Sequence, residues 1–166
     1  GQMNTEETIL ALNKRFPALE AASARPLRVF TAFAEPKEFE EALKYAFSKL
    51  DYHKGKHIVG TDEGENIGLS YILSNDENVL LVLRERVPKS APRVHSMGEF
   101  FPSLMLHERE MVDLFGVQVS GLPEGPSYPL PDGWPAGEYP LRKEWNPAYF
   151  NKQTMTYEPP KEEDAK

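Results

Sequence analysis

The segment His107-Glu108-Arg109-Glu110-Met111-Val112-Asp113-Leu114-Phe115-Gly116-Val117 sets titratable side chains inside an apolar run. Paired carboxylates can do general acid–base work when one holds a proton and the other is ionised. Here the spacing of Leu104, Met105, Met111, Val112 and Phe115 predicts a helix with one apolar stripe. On that helix Glu108 and Glu110 are two residues apart and point in different directions, so they cannot serve one reacting centre. Glu108 falls in the middle of the stripe, where a leucine is expected. A carboxylate in such a place needs a partner or must take up a proton. Arg109 and Asp113 stand at i and i+4 and can pair along the helix flank. An ion network that holds a structure or an interface outweighs catalysis as the reading of these residues.

Other chemistry is less well supplied. His53 and His57 have the four-residue spacing of a helical metal pair, but Gly55 and the strand-like residues after His57 argue against a helix, and they read as solvated loop histidines. His107 beside Glu108 reads as a packing residue. There are no cysteines, which excludes disulfides, thiolate zinc and iron–sulfur clusters held by this chain. The glycines form neither a phosphate-binding loop nor a nucleophile elbow. Arg84, Arg86, Lys89 and Arg93 against Glu85 carry a local charge of +3. Such a cluster suits an acidic partner, and equally the solvated end of an edge strand.

The elements that position these residues follow from patterning. The 166 residues make about one domain. A net charge of −7 argues against general nucleic-acid binding, and no apolar run approaches the ~20 residues of a membrane span. No signal peptide is expected ahead of Asn4, and Gly1-Gln2 before Met3 reads as a cloning remnant. Asn4 and Glu7 form a capping-box pattern ahead of a helix with Ile9, Leu12 and Phe16 on one face, stopped by Pro17. Leu27 to Phe33 reads as a strand, and Pro36 opens a helix carrying Phe39, Leu43, Ala46, Phe47 and Leu50. Lys56–Thr61, Ile67–Leu73 and Val79–Val87 read as strands, the last two joined by the turn formers 74–78. Ser96 can cap a helical stretch that Pro102 restarts and Gly116 ends. Beyond Val119 the periodicity is lost, and seven of the 15 prolines lie between Pro123 and Pro147. The fold class expected is α+β in two layers, a small mixed sheet covered by helices, with an irregular Pro-rich C-terminal segment. Its expected divisions are a core at 1–120, a Pro- and aromatic-rich docking extension at 121–150, and a tail without fixed structure at 151–166.

The string Glu108-Arg109-Glu110-x-x-Asp113-Leu114-Phe115-Gly116-Val117 resembles the signature of the 30-kilodalton subunit of respiratory complex I. Its homologues in membrane-bound, energy-converting nickel–iron hydrogenases belong to the same family. The resemblance extends from about Leu27 to Pro147. It includes Val87-Pro88 through Val94-His95-Ser96-Met97-Gly98-Glu99-Phe100-Phe101-Pro102, and downstream Leu130-Pro131-Asp132-Gly133-Trp134 and Tyr139-Pro140-Leu141-Arg142-Lys143-Glu144. The complex I members usually carry a histidine and a pair of arginines where this chain reads Gly121-Leu122-Pro123-Glu124-Gly125-Pro126-Ser127-Tyr128. The wording from Gly137 to Lys143 is closer to the hydrogenase branch.

The resemblance implies a subunit of an oxidoreductase complex with no active site of its own, peripheral on the cytoplasmic side of the membrane. It implies docking on the large nickel–iron-like subunit, with a small iron–sulfur subunit in the same complex, no nucleic acid, and the membrane met only through the complex. Cofactors are expected in partner subunits: iron–sulfur clusters, and nickel–iron or quinone according to the branch. The residues expected to form signature and interface are Glu108, Arg109, Glu110, Asp113, Phe115, Gly116, Asp132, Trp134, Pro140, Leu141, Arg142 and Lys143. Within this set, Arg142 is the expected partner of Glu108, with Arg109 second, tethering the closing segment to the helix. The rival reading is a stand-alone acid–base enzyme or a binding module using Glu108, Arg109, Glu110 and Asp113.

Overall fold

A computed structural model of the chain describes residues 3–125 and 130–161. The capping box forms as expected: the Asn4 side chain accepts from the Glu7 amide at 2.9 Å, and Glu7 reaches back to the Asn4 amide. Helix α1 (Thr5–Arg15) then runs to a 3-10 turn at Pro17–Leu19. Two strands follow, β1 (Ala22–Arg25), which the sequence pattern does not announce, and β2 (Arg28–Ala34). Pro36 opens α2 (Pro36–Lys49), which buries Phe39, Ala42, Leu43 and Ala46. Each large side chain removed from water there is worth roughly 1.5–3 kcal/mol.

Strands β3 (Lys54–Asp62), β4 (Asn66–Ser74) and β5 (Leu80–Pro88) form a meander. Between β4 and β5 the Asn75 side chain accepts the amides of Glu77 and Val79, which fixes the turn. The sheet has the order β1-β2-β5-β4-β3, with β2 and β5 parallel and all other pairs antiparallel. One face supplies Val29, Ile58, Leu69, Tyr71, Leu73, Leu81 and Leu83 to the core beneath the helices. This is the mixed α+β arrangement that the sequence pattern predicts. Because β5 lies in the interior of the sheet, Arg84 and Arg86 do not mark an edge strand, and that expectation is overturned.

After β5 come β6 (Arg93–His95), a turn, a 3-10 turn at Pro102–Leu104, α3 (Met105–Phe115) and β7 (Gln118–Ser120). Strands β6 and β7 pair in parallel with Val94 opposite Val119, so the segments before and after α3 are joined to each other. The Ser96 hydroxyl accepts the Gly98 amide at 3.1 Å inside a turn and caps no helix there. Helix α3 lies against β3 through glycine: a Cβ at Gly60 would stand 2.6 Å from the Phe115 ring. A small antiparallel pair, β8 (Phe150–Asn151) and β9 (Thr156–Tyr157), follows the closing segment and lies largely within the stretch 151–166 expected to lack fixed structure. Among the described residues no helix is long and apolar enough to cross a membrane. Of that expected tail at 151–166, residues 162–166 lie outside the described residues, as do Pro126 to Pro129.

Candidate functional site

The signature residues divide between the two ends of α3. At its first turns Glu108 is buried, 1% exposed, as the apolar stripe requires. Its carboxylate accepts the Ser96 hydroxyl at 2.8 Å and the Met97 amide at 2.9 Å. The β6–β7 pairing makes this possible, because the Ser96 amide donates to the Ser120 carbonyl and holds the turn beneath the helix. Burial raises the proton affinity of Glu108, and the two hydrogen bonds, with His95 and Arg109 acting through space, only partly offset it. A second carboxylate shares the core. Glu85, on the inward face of β5, is 1% exposed and accepts the Tyr71 hydroxyl at 3.2 Å. Burial pushes its pKa up to about 8 against that hydrogen bond, with Glu40 and Glu108 adding repulsion. The Tyr71 hydroxyl, deep in the same place, is held well above its usual 10.

At the other end, α3 stops because Gly116 takes a left-handed conformation at φ +73°, its amide closing on Met111 and Val112. The exposed carbonyls of the last turn are then taken by the closing segment. The Leu141 amide donates to the Leu114 carbonyl at 3.0 Å, and Arg142 Nε donates to the Phe115 carbonyl at 2.7 Å. A guanidinium at a helix C-terminus is favoured by the helix dipole as well as by the hydrogen bond. Arg142 also lies 4.8 Å over the Tyr139 ring. A Cβ at Gly116 would come within 2.5 Å of that ring and 2.8 Å of Arg142 Nη2, so glycine is required twice, for its backbone and for its bareness. The expected tether between Arg142 and Glu108 is therefore corrected. Arg142 does hold the closing segment to α3, but through the Phe115 carbonyl, while Glu108 is satisfied at the opposite end by neutral donors. Arg109, the second choice, donates instead to the Pro123 carbonyl at 3.2 Å.

Lys143 acts through its backbone, donating to Asp62 at the end of β3 at 2.8 Å. Asp62 also accepts the Gly64 amide and pairs with Lys89 at 2.7 Å. Burial would raise its pKa, but these donors outweigh burial and bring it to about 2. Lys89 in turn pairs with Glu144. Trp134 donates to the Glu138 carbonyl and lies 4.6 Å from the Phe150 ring, and Trp145 stacks on Tyr157 at 5.4 Å. Asp132 and Trp134, with Val112 and Asp113 of α3, line an open recess of about 530 Å³. Pro140 is half-buried, and Leu141 is exposed.

Glu110 is half-buried and lies 3.5 Å from His107, whose ring meets His57 edge-on at 4.1 Å. His57 is thus on a strand rather than in a loop, and His53 follows α2 with its ring nitrogen 2.9 Å from the Phe47 carbonyl. Among the described residues no three His, Asp or Glu side chains converge as a metal site. Sequence patterning misses Glu85, Tyr71 and Asp62. The alternation Leu81, Leu83, Glu85, Val87 was the available signal for the first, since it places a carboxylate among inward apolar residues.

Comparison with known proteins adds independent findings. The model of the family described as the respiratory-chain NADH dehydrogenase 30 Kd subunit matches residues 32–151. The chain is 28% identical over 148 residues to a subunit of the F(420)H(2) dehydrogenase of Methanosarcina mazei, spanning 86% of this chain and 92% of that protein. It is 31% identical over 111 residues to the beta subunit of the membrane-bound hydrogenase of Pyrococcus furiosus, 64% of each chain. Among solved structures, a chain of the archaeal membrane-bound sulfane sulfur reductase superposes with a TM-score of 0.76 over 95% of both chains at 23% identity, which speaks for the fold.

Proposed function

Because this chain belongs to the family of the respiratory-chain NADH dehydrogenase 30 Kd subunit, we propose that it is a structural subunit of a membrane-associated oxidoreductase complex, docked peripherally on the cytoplasmic side. Its named relatives are subunits of an F(420)H(2) dehydrogenase and of a membrane-bound hydrogenase, which supports the complex in general terms. The observation that carries the structural role is the use made of the signature residues. Glu108 is sealed in the core on two donors, while Arg142 and Gly116 join α3 to the closing segment. Glu110 stands apart, half-buried beside His107, so Glu108 and Glu110 do not face one common space. The residues hold a surface in shape; they do not converge on one reacting atom.

The docking surface of this reading is α3 with the closing segment, where Asp132 and Trp134 line the open recess and the Leu141 side chain is exposed. The partner is the large nickel–iron-like subunit, with a small iron–sulfur subunit beyond it. Iron–sulfur clusters, and nickel–iron or quinone, belong to those partners. The test is purification of the tagged chain from detergent-solubilised membranes. Co-migration with a large oxidoreductase subunit, lost when Leu141→Asp is introduced, is expected. Recovery of the chain alone and free of membranes would refute the reading.

A further inference from the structure

The core face of the sheet is covered by helices, but its other face carries a second apolar surface. Register places Phe30 beside Val82 and Val82 beside Ile72, and in the next row Phe33 beside Arg84, Arg84 beside Ser70 and Ser70 beside Val59. Phe30, Phe33 and Ile72 are half-buried and stand outside the core cluster, while Val59 is 41% exposed. Gly68 lets the Phe33 ring lie directly on β4, since a Cβ there would meet it at 2.9 Å. Side chains of this kind across a sheet face are the composition of an interface centre.

Two arginines set the chemistry of that surface. The Arg84 guanidinium lies 5.5 Å from the ring centres of both Phe30 and Phe33. Its Nε is buried and has no hydrogen-bond acceptor. Arg86 lies 4.4 Å over Phe33 and is already paired with Glu63 at 2.7 Å. The inward partner in this charge cluster, Glu85, is on the opposite face and cannot reach Arg84. Nε is closed off by burial, but Arg84 as a whole is only half-buried and has no ion pair among the described residues, so the open edge of its planar guanidinium suits a carboxylate. The whole chain is acidic, at −7, so an arginine without an ion pair on this face runs against its overall sign.

We propose that this open face of the sheet docks an extended or helical segment of another protein in the same assembly, which seats apolar side chains on Phe30, Phe33, Ile72 and Val59 and presents an Asp or Glu carboxylate to Arg84. An anionic lipid surface is a poorer occupant, because membrane attraction needs a cluster of about 4–8 basic residues. Here one of the two arginines is neutralised by Glu63. The surface is distinct from the docking surface formed by α3 and the closing segment, so it can fail while that reading stands.

The experiment is site-specific crosslinking in the membrane-bound assembly, with a benzophenone residue at Val59 and mass spectrometry of the product. A crosslink to a peptide of a different protein, with Asp or Glu within a few residues of the attachment point, is expected. Arg84→Gln should lower its yield by about tenfold and Arg84→Lys by less, as expected for a desolvated charge pair. Melting of both variants, followed by circular dichroism, checks that each remains folded; Phe30→Ala, at a half-buried residue of the same face, supplies a second probe should Arg84→Gln unfold. Crosslinks to lipid, to a second copy of this chain, or to no partner would overturn the proposal, as would a yield unchanged by both arginine variants.

Discussion

Replacing Glu85 by Gln is expected to change how the stability of the chain depends on pH. Glu85 is buried among Leu83, Val87 and Tyr71, and its pKa stands at about 8 against an ordinary 4.5. Between those two values the folded chain binds a proton that the unfolded chain releases. Stability therefore falls as pH rises, fully present below about 4.5 and lost through about 8. At about 1.36 kcal/mol per tenfold change in proton affinity, the upper limit of that loss is about 5 kcal/mol. Glutamine keeps the shape and an acceptor for the Tyr71 hydroxyl, but it has no proton to lose. The variant should match the parent near pH 5 and exceed it by several kcal/mol at pH 9. Urea unfolding followed by far-ultraviolet circular dichroism at pH 5, 7 and 9 gives the comparison. A shallower slope should remain in the variant, because the pKa of Glu108 is raised in the same direction. Asp62, at about 2, acts in the opposite sense but below this window. An identical pH slope in parent and variant would show that Glu85 is not the group that titrates, and the reasoning would be dropped.

Three further outcomes can be measured in the same way. Gly116→Ala should cost about 2–3 kcal/mol, since a left-handed alanine is strained and its Cβ meets the Tyr139 ring; limited proteolysis should then cut first within 130–145. Glu108→Gln and Arg142→Met should each cost about 1–2 kcal/mol, and the double change should be additive within about 0.5 kcal/mol, because the two side chains act at opposite ends of α3, about 10 Å apart along the axis. A coupling above 1 kcal/mol would restore a direct tether. Lys89→Met should lower stability near pH 7 but leave it unchanged below pH 2, where Asp62 is protonated; equal losses at both would exclude the ion pair as the cause.

The fold was legible where periodicity is strong. The capping box at Asn4, the stripe of α2 and the turn at 74–78 each specify their element locally, and each forms. β1 was not legible, because Ala22–Arg25 is exposed and its pairing with β2 carries no side-chain pattern. For the candidate site, the burial of Glu108 follows from its place in the stripe. Its partners do not, since Ser96 and Met97 reach it only through the β6–β7 pairing. Arg142 shows the same limit: its type announces a carboxylate, yet it binds a helix carbonyl, an acceptor that every residue carries and no sequence pattern marks. Lys143 contributes only its amide, so its side chain says nothing about that contact.

The parallel pairing of β2 with β5 has a consequence for the order in which the chain acquires its structure. The β3–β4–β5 meander closes over short turns and needs nothing that precedes it. β2 is hydrogen-bonded to β5, however, with Val29 opposite Leu81 across about fifty intervening positions. Loop-closure entropy of that kind slows formation and favours local pieces first. During synthesis β2 has β1 as a local partner, but its parallel neighbour exists only once residues 80–85 have emerged. Until then one edge of β2 stays unpaired, and that open edge is a site for premature association while the chain is still growing.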